Sequence, residues 1–156
     1  MVATGIAQVA TDKQQVTPML EALAGLPEEL GRVKRVLGDN GFFSAANVES
    51  CVAAKIEPLL APGRHRHHPH WEDRFNEPPA LTEPAHAVDR MKHRLKTAKG
   101  RKLYGLRKQT VEPVFGIIKS VMRFRQFLLR GLASVRGEWA LVTMAWNIKR
   151  MAVMAA

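Results

Sequence analysis

The stretch Val33-Lys34-Arg35-Val36-Leu37-Gly38-Asp39-Asn40-Gly41 decides the fold. Its apolar burst is short, β-branched in part and closed by four turn formers. That pattern predicts a strand over 33–37 running into a tight turn, so Asp39 falls at the strand's C-terminal end. Downstream, Ser44 can cap a helix reaching about residue 55. Ile56 to Leu60 then supplies a second short strand, stopped by Pro62 and Gly63. Strand, helix, strand in that order predicts a right-handed parallel crossover.

Working outward, Thr11 and Gln14 have capping-box spacing, and Val16, Met19, Leu20, Leu23 and Ala24 recur at helical intervals. A helix over about 12–25 follows. Residues 63–89 change character, with prolines at 69, 78, 79 and 84 and four histidines between 65 and 70, which reads as an inserted loop. A basic helix is expected from Val88 to about Lys99, closed by Gly100. Thr110 can cap the next one, with Pro113 in its first turn and Val111, Val114, Phe115, Ile118 and Met122 as its apolar stripe. Gly131 interrupts the run. A last helix over about 133–153 presents Trp139, Leu141, Val142, Ala145, Trp146 and Ile148 for packing. The expected class is α/β, mostly helical, divided as 1–62 (helix, strand, helix, strand), 63–100 (insertion and linker helix) and 101–156 (C-terminal helices).

With 156 residues and 46% hydrophobic content the chain can build a core. Its 24 Lys and Arg against 14 Asp and Glu leave a charge of +10, which points to a polyanionic partner. The single cysteine, Cys51, excludes an internal disulfide framework and reads as a small buried side chain. No stretch approaches the roughly 20 apolar residues of a bilayer span, and a cytoplasmic, nucleoid-associated protein is expected.

The charge is clustered. Thirteen of the 24 cations (90, 92, 94, 96, 99, 101, 102, 107, 108, 119, 123, 125, 130) fall between residues 90 and 130, where Glu112 is the one acid. Such a strip neutralises phosphates and releases their counterions, making binding salt-sensitive. A merely solvated helix face is the bland alternative, weakened because no acids balance the bases at i,i+4. Glu112 could simply favour a helix N-terminus, or be a hard oxygen ligand for Mg²⁺ inside a phosphate-binding strip. Lys119, seven residues on, lies two turns along nearly the same face and could reach a phosphate. Asp39 could serve only its own turn, yet the C-terminal end of a strand is where α/β proteins place functional carboxylates. The tract Arg64-His65-Arg66-His67-His68-Pro69-His70 lacks cysteines and helical spacing, so a pH-sensitive phosphate-contacting loop fits it better than a transition-metal site. Trp71, Trp139 and Trp146 read as packing residues rather than base-stacking platforms.

The string Tyr104-Gly-Leu-Arg107-Lys108-Gln-Thr-Val-Glu112-Pro-Val-Phe-Gly-Ile-Ile-Lys119 resembles the third-carboxylate region of bacterial insertion-sequence transposases of the DDE class. The similarity continues through Phe124-Arg125-Gln-Phe-Leu-Leu-Arg130-Gly131, Gly137-Glu138-Trp139 and Trp146-Asn147-Ile-Lys149-Arg150. Upstream, Asp12-Lys13-Gln14-Gln15 with Pro18-Met19, Leu37-Gly38-Asp39-Asn40-Gly41-Phe42-Phe43 and the His-rich loop after Ile56-Glu57-Pro58 resemble it in the same order. The resemblance implies a ribonuclease-H-like fold with three carboxylates holding two Mg²⁺ (or Mn²⁺). Asp39 then matches the second carboxylate and Glu112 the third, as catalytic and metal-binding residues. Tyr104, Arg107 and Lys119 match the tyrosine, arginine and lysine that accompany the glutamate.

Two departures stand out. Four residues separate Arg107 from Glu112 where such transposases have three, so Lys108 could occupy the arginine's place. No strand bearing a first aspartate precedes residue 12, and Asp12 itself reads as a helix first-turn acid. The expectation is the C-terminal part of a transposase, cutting and joining DNA at element ends and inactive alone, with Tyr104, Arg107, Lys108, Lys119, Arg123 and Arg125 on DNA. A homodimer or an N-terminal partner polypeptide would complete it. Two other readings stay open: a non-catalytic DNA-binding remnant, and a helical protein with an acidic protein partner.

Overall fold

In the computed structural model, which describes residues 1–63 and 76–155, β1 (Arg35–Gly38) and β2 (Glu57–Leu60) pair in parallel. Helix α2 (Ala45–Ala53) connects them. The register sets Arg35 opposite Glu57, Val36 opposite Pro58, Leu37 opposite Leu59 and Gly38 opposite Leu60. The expected strand, helix, strand order is therefore present, with each strand beginning one or two residues later than read. Ser44 caps α2 by accepting from the Asn47 N–H at 3.0 Å, as its sequence position predicts. Lys55, at φ 59°, then reverses the chain towards β2.

The two edges of this sheet differ. The Glu57 N–H bonds the Lys34 carbonyl at 3.0 Å and the Ala61 N–H bonds the Gly38 carbonyl at 3.2 Å. Alternation along β2 therefore aims the backbone of 58 and 60 away from β1. Pro58 has no donor to offer there, and the Leu60 N–H is taken by the Met91 sulfur at 3.5 Å. The far edge of β2 is thus closed, while the far edge of β1 has no strand partner among the described residues.

The chain forms two compact units, Thr11–Arg107 and Met1–Ala10 with Lys108–Ala156. In the first, a short 3₁₀ turn (Asp12–Gln15) leads into α1 (Val16–Ala24), and α3 (Ala87–Lys96) follows the sheet. Val48, Leu59, Leu60, Met91 and Leu95 form its principal core, and Val16, Leu20, Cys51 and Ile56 a second cluster beneath α1. Leu59 and Leu60 are fully buried, so truncating either to alanine costs about 2 to 5 kcal/mol. Cys51 is buried as expected, and burial pushes its thiol pKa up. Thr11 does cap the opening turn, but by accepting from the Lys13 N–H at 3.4 Å.

Three expectations about the helices need correcting. Gly100 does not close a helix: α3 ends at Lys96, and α4 runs from Ala98 to Ser120. Nor does Thr110 start one, because Thr110 and Pro113 both lie inside α4. The helix formers that precede Thr110, Leu106-Arg107-Lys108-Gln109, and the burial of Ile118 beyond Pro113 carry the helix through these boundary signals, at the cost of the hydrogen bond a proline cannot donate. The last helix, α5 (Leu132–Ala155), buries Trp139 and Thr143, but leaves Leu141 and Ile148 exposed. On α4, Ile118 is buried whereas Val111 and Phe115 are exposed, so only part of each expected apolar stripe packs. Arg64 to His70 and Trp71 lie outside the described residues.

Candidate active site

Asp39 sits where the sequence puts it, at the end of β1. Its Oδ1 accepts from the Gly41 N–H at 3.0 Å, so the turn does use the aspartate. Its Oδ2 faces Arg107, whose Nη1 is 3.9 Å away. Tyr104, one turn earlier on α4, donates its hydroxyl to the Gly38 carbonyl at 3.2 Å, and the Arg107 guanidinium lies 5.7 Å from the centre of its ring. Of the two basic candidates for the arginine's place, it is therefore Arg107 that reaches Asp39. Burial raises the Tyr104 hydroxyl pKa above its ordinary value, and Asp39 adds to this while Arg107 opposes it.

The Asp39 turn is braced from below by a residue the sequence reading passed over. Asn47 is 7% exposed, and its Nδ2 donates to the carbonyls of Lys13 and Phe42, each at 2.8 Å. One side chain thereby ties the turn at 40–42 to the turn at 12–15. The latter brings Asp12 alongside: a methyl group on Gly41 would stand 2.8 Å from Asp12 Oδ2 and 3.2 Å from Asp39 Oδ1. Glycine keeps room for two carboxylates that flank it. Asp12 is a first-turn acid, as read, and its neighbourhood to Asp39 has no local signal in the sequence.

Glu112 belongs to the other unit, exposed on α4. Phe115 and Lys119 follow it at i+3 and i+7, the spacing of one helix face. The loop after α4, residues 121–131, carries Arg123, Arg125 and Arg130. It is held by the Glu138 carboxylate, which accepts from the N–H groups of Leu128 (3.0 Å) and Leu129 (3.2 Å). Glu138 is thus a loop anchor. Trp139 is 9% exposed and packs within a ring cluster, stacked on Phe115 at 6.0 Å, as expected for a packing residue.

Ten of the thirteen cations between 90 and 130 are exposed, Lys108, Lys119, Arg123 and Arg125 among them. Arg94 and Arg107 instead turn to Glu57 and Asp39. Among the described residues no three His, Cys, Asp or Glu side chains gather as a metal site, and no helix is long and apolar enough to cross a membrane. Asp39 and Glu112 are hard oxygen donors of the kind Mg²⁺ takes, both exposed, and Asp39 has the Arg107 guanidinium at hand.

No curated protein and no solved structure matches the chain. Residues 79–152, the stretch that carries Tyr104, Arg107, Glu112 and Lys119, match the family model described as a transposase DDE domain.

Proposed function

We propose that the chain is the part of a DNA transposase that supplies the second and third carboxylates, Asp39 and Glu112, of a metal-dependent strand-cleaving and strand-joining centre. The observation that carries this reading is the linkage of the Asp39 turn to the Tyr104 and Arg107 of the family-matched segment, through one hydrogen bond of 3.2 Å and an ion pair of 3.9 Å. Divalent magnesium, when bound, would polarise the scissile phosphate and activate the attacking oxygen. Asp39 and Glu112 would hold it. Arg107 holds Asp39 in place, and Lys119 with the exposed cations of the loop neutralises the DNA backbone. A ribonuclease-H-like sheet is the fold proposed. It is supported by the parallel pair itself and by its one closed edge, which leaves β1 as the strand against which such a sheet continues. No residue among these 156 is assigned as the first carboxylate, and activity is proposed to require one from outside them.

A second reading, DNA binding without chemistry, is favoured by one observation: ten of the thirteen cations between 90 and 130 are exposed, which suffices for phosphate contacts without any metal. Filter retention of duplex DNA and nicking of supercoiled plasmid in Mg²⁺ separate the two. On the first reading, nicking requires added chain bearing the opening strands and is abolished by Glu112→Ala or Asp39→Ala, with retention unchanged. Retention that falls steeply with salt, with no nicking under any complementation, supports the second. Absence of salt-dependent retention rejects both and leaves an acidic protein partner.

A further inference from the structure

A groove of about 250 Å³ runs between α3 and the start of β2, lined by Glu57, Pro58, Ala87, Arg90, Met91 and Arg94. The four residues from α3 fall at i, i+3, i+4 and i+7, one face of the helix. Pro58, Ala87 and Met91 supply the apolar part of the lining, and the two arginines stand one turn apart beside it. Arg94 is held in place, because its Nε donates to Glu57 Oε1 at 3.1 Å. The other oxygen of that carboxylate takes the Arg35 Nε at 2.6 Å. Glu57 therefore orients Arg94 while its own charge is answered by Arg35. The Nη groups of Arg94 and the whole Arg90 guanidinium have no partner among the described residues. Asp89, the one acid of α3, adjoins Arg90 in sequence but does not line the groove. Three arginines against one glutamate leave a surplus of two positive charges here. The site opens at the start of the sheet, roughly 10 Å along the strands from the end that carries Asp39.

We propose that Arg90 and Arg94 bind a phosphate monoester whose first carbons rest on Pro58, Ala87 and Met91. Guanidinium forks select phosphate, since their paired N–H groups match its oxygens two at a time. Charge selects the monoester: it carries roughly −1.5 to −2 near neutral pH, which answers the surplus of two, whereas a phosphodiester within a strand carries a single charge. The groove is smaller than the pockets of roughly 300 to 1,000 Å³ that enclose whole drug-sized ligands, and suits a phosphate with the sugar that bears it. Two sources offer this group, the 5′-phosphorylated end of a DNA strand and a free sugar phosphate. The strand end rests on the DNA reading above, under which hydrolysis of a phosphodiester leaves such a monoester on one of the two new ends. The site itself does not depend on that reading.

The test measures the full chain's affinity for one labelled oligonucleotide duplex with 5′-phosphate or 5′-hydroxyl ends, beside calorimetric titration with deoxyribose 5-phosphate. The expected result is roughly tenfold tighter binding of the phosphorylated duplex, the worth of one set of hydrogen bonds to a charged group. Arg90→Gln removes a guanidinium without a partner among the described residues and should by itself lower that preference several-fold. Arg90→Gln with Arg94→Gln should abolish it and leave the hydroxyl duplex nearly unaffected. Equal affinity for both duplexes, with heat from deoxyribose 5-phosphate that the double variant loses, supports the site and makes the free ester its source. The same heat with no binding of either duplex supports the site while the DNA reading falls. Equal affinity without heat overturns the proposal while the DNA reading stands. A preference or heat that survives in the double variant overturns it as well, since the phosphate is then held elsewhere.

Discussion

The Tyr104 hydroxyl donates to the carbonyl of Gly38, the residue before Asp39, across 66 positions of sequence at 3.2 Å. This bond fixes α4 against the end of β1, and the guanidinium one turn later then faces the Asp39 carboxylate. Tyr104→Phe keeps the ring and removes the bond. Urea unfolding should show a loss of about 1 kcal/mol, typical of one partly buried hydrogen bond. The pH dependence gives a second check. Burial holds the hydroxyl's pKa above the ordinary tyrosine value. As pH rises through that ordinary value the unfolded chain loses its proton first, so the associated stability is complete below it and declines above it. The phenylalanine variant should lack that component of the alkaline decline.

Asn47 offers a sharper test of what shapes the carboxylate turn. Its amide satisfies two carbonyls, Lys13 and Phe42, inside a nearly closed pocket. Asn47→Ala leaves both without that donor and should cost about 2 kcal/mol, within the range for unsatisfied buried groups. Asn47→Asp is expected to be worse, since a carboxylate cannot donate to either oxygen. If the alanine variant melts with the unaltered chain, the turn at 40–42 is held by its own backbone and the role given to Asn47 is wrong.

How far these features were legible follows from how local they are. The order β1, turn, α2, β2 stands in the sequence because turn formers and apolar bursts alternate over a few residues, and Asp39 could be placed from Gly38-Asp39-Asn40-Gly41 alone. The Asn47 brace could not, because its acceptors lie 34 and 5 positions away and asparagine in a helix has several ordinary uses. Thr110 and Pro113 mislead for a different reason: each is a valid boundary signal, overridden by the helix formers before it and by the burial of Ile118 after it. The exposed Leu141 and Ile148 mark where periodicity gives an apolar face without saying what covers it. Glu112 stands out in composition as the one acid of the basic strip, whereas Tyr104 and Arg107 come only from resemblance to a family.

Glu57 should make the fold acid-sensitive. Burial alone would raise its pKa, but Arg35 at 2.6 Å and Arg94 at 3.1 Å outweigh it and hold the carboxyl below the ordinary glutamate range. With the folded value depressed, this stability is present above the ordinary glutamate pKa and disappears as pH falls through the folded one. The side chain is 36% exposed, so solvent screening keeps the effect to about 1 kcal/mol or less. Denaturation midpoints followed downward from neutral pH should fall less for Glu57→Gln than for the unaltered chain. Parallel curves would mean that the two arginines contribute nothing through charge.

Gly100 and Gly105 stand on the same helix and should answer substitution with opposite signs. A Cβ at Gly100 would be driven into the backbone carbonyl of Arg94, with the Thr97 hydroxyl 3.0 Å away on another side. The junction between α3 and α4 has no flexible side chain there that could yield. Gly100→Ala should therefore cost about 3 kcal/mol, the upper end for a group forced into filled space, and loosen the seat of Tyr104 and Arg107 beyond the junction. Nothing lies within 4 Å of a Cβ at Gly105. There the methyl group only restricts the unfolded chain, and Gly105→Ala should gain up to about 1 kcal/mol. Urea midpoints shifted in the same direction by both substitutions would show that α4 does not pass as close to Arg94 as the helix junction requires.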